Sequence, residues 1–204
     1  MDKSTEALQK FLYKEVKQAS YRFVLTCMEN LKKDVLHEQV QIFVEDFKRL
    51  FELCRESDEQ VCFVQIALIR SRALMQQPFY RLEAFSKEFY LAEPIAFLDL
   101  RMDWLYHPYE EFCREVERES KKYLYISAPE LDAIKQIELI NSRRIVRHLF
   151  EEAILHIVDT EEYQNLGVED GFQIHMAEYR GPYEKIYEEC ESARIVGEIC
   201  RGIL

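Results

Sequence analysis

Asp99, Asp103 and His107 recur at i, i+4 and i+8. On an α-helix that spacing sets two carboxylates and an imidazole on one face, a donor set suited to a divalent metal. His148, Glu152 and His156 repeat the same spacing further along the chain. Two such stripes face to face would make a carboxylate–histidine site of the kind built inside helical bundles. The Glu-x-x-His spacing used by di-iron bundles occurs nowhere in the chain. No metal and no cofactor are therefore assigned: Asp99, Asp103 and His107 are taken as a solvated helical face, and His156 as a half-buried histidine hydrogen-bonded to Glu152.

Cations give a second set of candidates. Arg143, Arg144 and Arg147 form a local basic patch suited to a phosphate or an acidic partner, or paired with Glu151 on a solvated face. Arg70 follows the run VCFVQIALI, which is apolar nearly all round and is read as a central, buried helix continuing to about residue 77. On that helix Gln65, Arg72 and Gln76 share a narrow polar edge, while Arg70 falls among Phe63, Ile66, Ala73 and Leu74. A buried guanidinium cannot shed its charge and needs an acidic partner. The nearest in sequence are Asp99 and Asp103. With Trp104, Tyr106 and His107 these complete the ligand-binding candidates: Arg70, Asp99, Asp103, Trp104, Tyr106 and His107. No catalytic residue is assigned, because no P-loop, G-x-S-x-G, H-E-x-x-H or dinucleotide fingerprint is present.

The elements that must position these residues centre on the stretch 78–112, which holds ten of the chain's 26 aromatics and three of its five prolines. Pro78, Pro94 and Pro108 each precede an apolar run and are read as opening three helices, since proline suits a helix's first turn. Before this stretch, Leu8, Leu12, Val16, Ala19, Phe23, Cys27 and Leu31 lie on one helical face, and Leu36, Val40, Phe43, Phe47, Leu50 and Cys54 make a heptad-like seam. Ser57 with Gln60, and Ser127 with Glu130, spell capping boxes. The second predicts a long helix over about 128–158.

All five glycines lie beyond residue 166, which argues against a β-rich body. The segment FQIHMAEY fits one short strand without a partner, followed by a helix from Pro182. The words EYRGPYEKIYEE at 178–189 resemble locally the G-x-Y turn of GyrI-like effector-binding domains. The upstream strands that such a domain needs are not read in the sequence. The expected fold is all-α: a single-domain antiparallel bundle of seven to eight helices over 1–166, with a Gly-containing arm over 167–204.

The net charge of −11 speaks against sequence-independent nucleic-acid binding and against an anionic membrane surface. The ten residues MDKSTEALQK hold no apolar signal core, and no apolar run is long enough to span a bilayer. The six cysteines, none in C-x-x-C, read as reduced thiols of a cytoplasmic protein. The functional expectation is a helical interaction or regulatory protein without catalytic activity, docking another protein or a second copy through the arm. The alternatives are a sensor of a small molecule or anion, using the aromatic stretch and Arg70, and a metal-dependent enzyme on the His/carboxylate stripes.

Overall fold

A computed structural model describes residues 3–166, 168 and 171–189. The chain is mixed α/β, with a five-stranded sheet that overturns the expected all-α bundle. In order, α1 (Lys3–Phe11) runs through a π-helical turn (Leu12–Val16) into α2 (Lys17–Asn30), and α3 (Lys33–Cys54) follows. Then come β1 (Phe63–Leu68), α4 (Arg70–Leu74), β2 (Tyr80–Phe85), a 3-10 turn (Phe89–Leu91) and β3 (Ala96–Asp99). The chain continues through α5 (Asp103–Ser120), α6 (Ala128–Ile157), α7 (Glu161–Gln164), β4 (Gln173–Glu178) and β5 (Tyr183–Glu188). Two compact units are discerned: one of Met1–Glu38 with Arg101–Val146, the other of Gln39–Leu100 with Arg147–Leu204.

In the first unit α1, α2, α5 and the first half of α6 form a helical core. The π-helical turn inserts a residue into the helical phase. It turns Phe11 fully inward against the ring of Tyr123 at 5.2 Å, and leaves Leu12, a member of the expected stripe, 38% exposed. The stripe resumes as expected with Ala19, Phe23 and Cys27 buried. Phe23 meets Phe112 at 5.9 Å and Tyr109 at 6.1 Å. Ser20 Oγ donates to Glu138 at 2.7 Å. Burial pushes the Cys27 thiol up to about 12, so it stays protonated and unreactive. Pro108 does not open a helix; it sits inside α5. Its missing N–H would have met the carbonyl of Trp104, which faces Asn30 Nδ2 at 3.5 Å instead. The capping box at the start of α6 is present: the Ser127 N–H donates to Glu130 at 2.7 Å, and Ser127 Oγ accepts from the Glu130 N–H at 3.4 Å.

In the second unit the strand order is β3-β2-β1-β4-β5. β1 pairs antiparallel with β2 and parallel with β4; β3 and β5 are antiparallel edges. The run read as a central helix is thus the central strand. A strand covered on both faces carries apolar residues without alternation, which mimics a buried helix. Pro78 and Pro94 stand just ahead of β2 and β3, where an absent N–H leaves the ladder intact. Ser57 caps no helix; its Oγ accepts from the Glu59 N–H at 3.1 Å in a loop. The expected lone strand has partners on both sides, and residues 183–188 of the expected last helix are β5. The expected helix beyond residue 189, with Cys190 and Cys200, lies outside the described residues.

The middle of one face of this sheet (Val64, Ile66, Leu68, Leu82, Ile174 and Met176) is apolar and buried. The second half of α6 and α7 lie on that side: Arg147 pairs with Glu184 of β5, and the Tyr163 hydroxyl donates to Glu189 at 2.6 Å. Phe43 of α3 stacks on Phe150 of α6 with centroids 4.1 Å apart.

Candidate ligand-binding site on the polar face of the sheet

Strand side chains alternate, so the register fixes what shares the opposite face. Glu83, Gln65 and His175 stand side by side on β2, β1 and β4, with Phe97 of β3 and Lys185 of β5 continuing the row. The next row is Phe85, Phe63, Gln173 and Glu188. On the other flank lie Asp99, Arg81, Ala67, Ala177 and Tyr183. Polar groups are therefore collected at the middle of a sheet whose other face is core. Among them Gln65 is 0%, Glu83 1% and His175 1% exposed.

Glu83 is under-supplied with partners. Its nearest cation, Arg81, stands 4.0 Å away and is engaged elsewhere: Arg81 Nε donates to Asp99 at 2.8 Å, and the guanidinium lies over the Phe97 ring at 4.2 Å. Gln65 Nε2 reaches Glu83 only at 3.5 Å, while Gln65 Oε1 accepts from the Tyr90 hydroxyl. Burial pushes the Glu83 carboxyl above its usual range, against the lowering effect of Arg81, Arg180, the Gln65 contact and Arg72. Asp99 behaves oppositely. Burial would raise it too, but hydrogen bonds from Arg81 and Arg72 prevail and hold it below the usual range.

His175 is a neutral imidazole with one nitrogen unsupplied. Burial, then Lys185, lowers its pKa to about 4. Gln173 donates its Nε2 to Glu188 at 2.8 Å, which turns Oε1 toward His175 Nε2 at 2.7 Å. The proton therefore sits on Nε2, and Nδ1 presents a lone pair that has no hydrogen-bond partner.

Aromatic rings enclose this row. Tyr183 stacks on His175 at 4.1 Å, and Phe63 lies 5.5 Å from it. The segment 86–95 crosses above and lowers Phe89 among Phe63, Phe85 and Tyr183, at centroid distances of 5.0, 5.1 and 5.8 Å. Beside Glu83 a cleft opens between Phe85, Tyr90, Pro94, Tyr179 and Arg180, with a free volume of about 10 Å³, the space of one water molecule.

The residues singled out in the sequence are dispersed. Asp99 ends β3 and Asp103 starts α5, so the metal stripe through His107 does not share one helix. Asp103 and His107 are exposed, whereas Trp104 and Tyr106 are buried in α5. Arg70 is not a buried central cation. It pairs with Glu178 rather than with Asp99 or Asp103, and its side chain is 38% exposed. A pair so placed contributes roughly 0–1 kcal/mol. His148, Glu152 and His156 lie exposed along α6, so His156 is not half-buried. Among the described residues no group of three or more His, Cys, Asp or Glu is arranged to hold a metal ion. Nor is any described helix long and apolar enough to cross a membrane.

The sequence reading missed Glu83 and His175, and placed Gln65 on a helix edge. Their signal was present: FVQIAL, YRLEAF and QIHMAE each carry a polar residue inside a short, largely apolar run. The turn Tyr179–Pro182 with the resemblance noted above joins β4 to β5, and Arg180 lies there at φ 53°. Comparison with family models, with curated proteins and with solved structures finds no match to this chain.

Proposed function

We propose that the chain is a small-molecule-binding protein that takes a planar, N–H-bearing cation on the polar face of its sheet. One observation carries this reading: Glu83, a carboxylate 1% exposed whose ion-pair partner Arg81 is also bound to Asp99, lies beside the rings of Phe85, Tyr90 and Tyr179. A buried carboxylate without a full set of donors is expensive to keep. A cationic ligand supplies the missing donors and charge, and the rings supply stacking and cation–π attraction. Such convergence of a few polar groups with apolar walls is the usual build of a ligand site. Among the described residues no nucleophile–base pair accompanies it, which favours binding over turnover.

Thermal-shift titration tests this with matched planar probes: proflavine, a cationic diaminoacridine, against the anion 9-anthracenecarboxylate. Proflavine is expected to raise the melting temperature with increasing concentration, because it binds only the folded state. The anion is expected to leave it unchanged. Equal shifts with both, or none with either, would count against the reading.

A second reading, action by docking another protein, is favoured by α2. There Tyr21, Leu25 and Met28 follow one another on a helical face and are 70%, 44% and 55% exposed. The double substitution Leu25→Asp, Met28→Asp is expected to lower any concentration-dependent mass seen by light scattering without moving the melting temperature. Mass that is independent of concentration in the unaltered protein would remove support for self-association.

A further inference from the structure

We propose that segment 86–95 is a displaceable strap whose Phe89 ring fills the place of a ligand ring in the unliganded chain. The ligand's N–H groups would then meet Glu83 and the Nδ1 of His175. This rests on the binding reading above and adds how the site is kept closed and what shape opens it.

Phe89 is held in the left-handed backbone region at φ 47°, which a bulky residue adopts only when its surroundings insist. What insists is the ring. It packs on Phe63 at 5.0 Å, Phe85 at 5.1 Å, His175 at 5.7 Å and Tyr183 at 5.8 Å. These four belong to four different strands, so Phe89 sits over the middle of the sheet as an inserted ligand would.

The strap satisfies the rings and leaves the polar atoms wanting. Phe89 covers His175 but offers Nδ1 no donor, and that atom remains without a hydrogen-bond partner. Glu83 likewise gains no close donor from the segment. A loop packed only for stability would be expected to match the groups it covers. A ligand that carries both a ring and N–H donors matches them better than Phe89 does.

The strap is also lightly held. Between its ends its backbone hydrogen bonds are local: the N–H of Phe89 to Ser86, of Leu91 to Glu88 and of Ala92 to Phe89. Beyond its ring contacts, its side-chain ties include the Tyr90 hydroxyl to Gln65 and an exposed contact of Glu93 with Arg180 at 3.5 Å. Leu91 points outward, 90% exposed. With the strap down, the opening beside Glu83 is about 10 Å³. That is room for about one water beside the carboxylate while the strap is down.

The row also sets a length. Glu83 and His175 flank Gln65, so their strands lie two strand spacings apart, roughly 10 Å. A tricyclic diamine such as proflavine spans that distance with an amino group near each end.

Fluorescence titration with proflavine tests the proposal on four full-length proteins: the unaltered chain, Phe89→Ala, Tyr90→Phe and His175→Phe. Phe89→Ala removes the competing ring and is expected to tighten binding about tenfold or more. Tyr90→Phe keeps the packing, removes only the strap's hydrogen bond to Gln65, and is expected to tighten it a few-fold. His175→Phe keeps a ring, removes Nδ1, and is expected to weaken it. Unchanged or weaker binding by both Phe89→Ala and Tyr90→Phe, with the unaltered chain still binding, would show the strap to be a wall; the inference then fails and the binding reading survives. Absence of proflavine binding in all four proteins overturns both. Should Phe89→Ala fail to fold, Tyr90→Phe decides the matter alone.

Discussion

Glu83→Gln is expected to stabilise the chain at neutral and alkaline pH and to weaken its affinity for planar cations. The residue is 1% exposed, and burial holds its pKa above the usual carboxylate value of about 4.3. The folded state therefore holds the proton more tightly than the unfolded state does. The stabilising contribution is complete below the unfolded value and is lost as pH rises through the raised folded value. Glutamine keeps the shape and carries no charge, so it does not suffer that loss. The charges that bear on Glu83 are those of Arg81, Arg180 and Arg72; each lowers its pKa, and burial outweighs them. The gain above the window should be on the order of 1–3 kcal/mol, the cost of burying a group with incomplete partners. Urea midpoints of the two proteins should coincide near pH 3.5 and diverge by pH 8. Proflavine affinity should fall roughly 10- to 100-fold, as expected for one charge-assisted hydrogen bond. A variant less stable than the parent at pH 8 would mean that the carboxylate is well satisfied and is no ligand anchor.

Phe150→Ala should be the most damaging single truncation of the second unit. Phe150 is 0% exposed, stacks on Phe43 at 4.1 Å with planes 5° apart, and meets Phe47 edge-on at 6.0 Å. Removing the ring leaves a cavity between α3 and α6 that neither helix can close without moving, a loss of about 3–5 kcal/mol. Against a total of about 5–15 kcal/mol, the melting temperature should drop by roughly 10 °C or more. Leu155→Ala on the same helix is the control: that side chain is 65% exposed and its loss should stay within about 0.5 kcal/mol. Equal effects of the two substitutions, read by thermal denaturation, would contradict the packing described.

The helices α2, α3 and α6 were legible because each repeats its apolar residues over several turns, and α6 also carries its Ser127–Glu130 capping box. The sheet was not. β1 is covered on both faces and carries apolar residues on each, and its partner β4 lies far along the chain, so neither alternation nor proximity announced it. The scarcity of glycine misled for a clear reason. Positions that glycine usually serves are taken by other residues, Gln76 at φ 56°, Phe89 at 47° and Tyr125 at 78°. The prolines misled because the same residue that opens a helix also stands ahead of strands β2 and β3. With the strands unread, Glu83, Gln65 and His175 were three unrelated polar residues, and only the register makes them one row.

The parallel pairing of β1 with β4 has a consequence for synthesis. The first of these strands leaves the ribosome about 100 residues before the second. At roughly 5–20 residues per second that interval is about 5–20 s. Throughout it the strand destined for the centre of the sheet has one open edge, flanked by Val64, Ile66 and Leu68, a template for pairing with other nascent chains. Ribosomes stalled between residues 100 and 170 would thus carry the species most in need of a chaperone, and pulse-chase aggregation should peak there, falling once residue 178 has emerged.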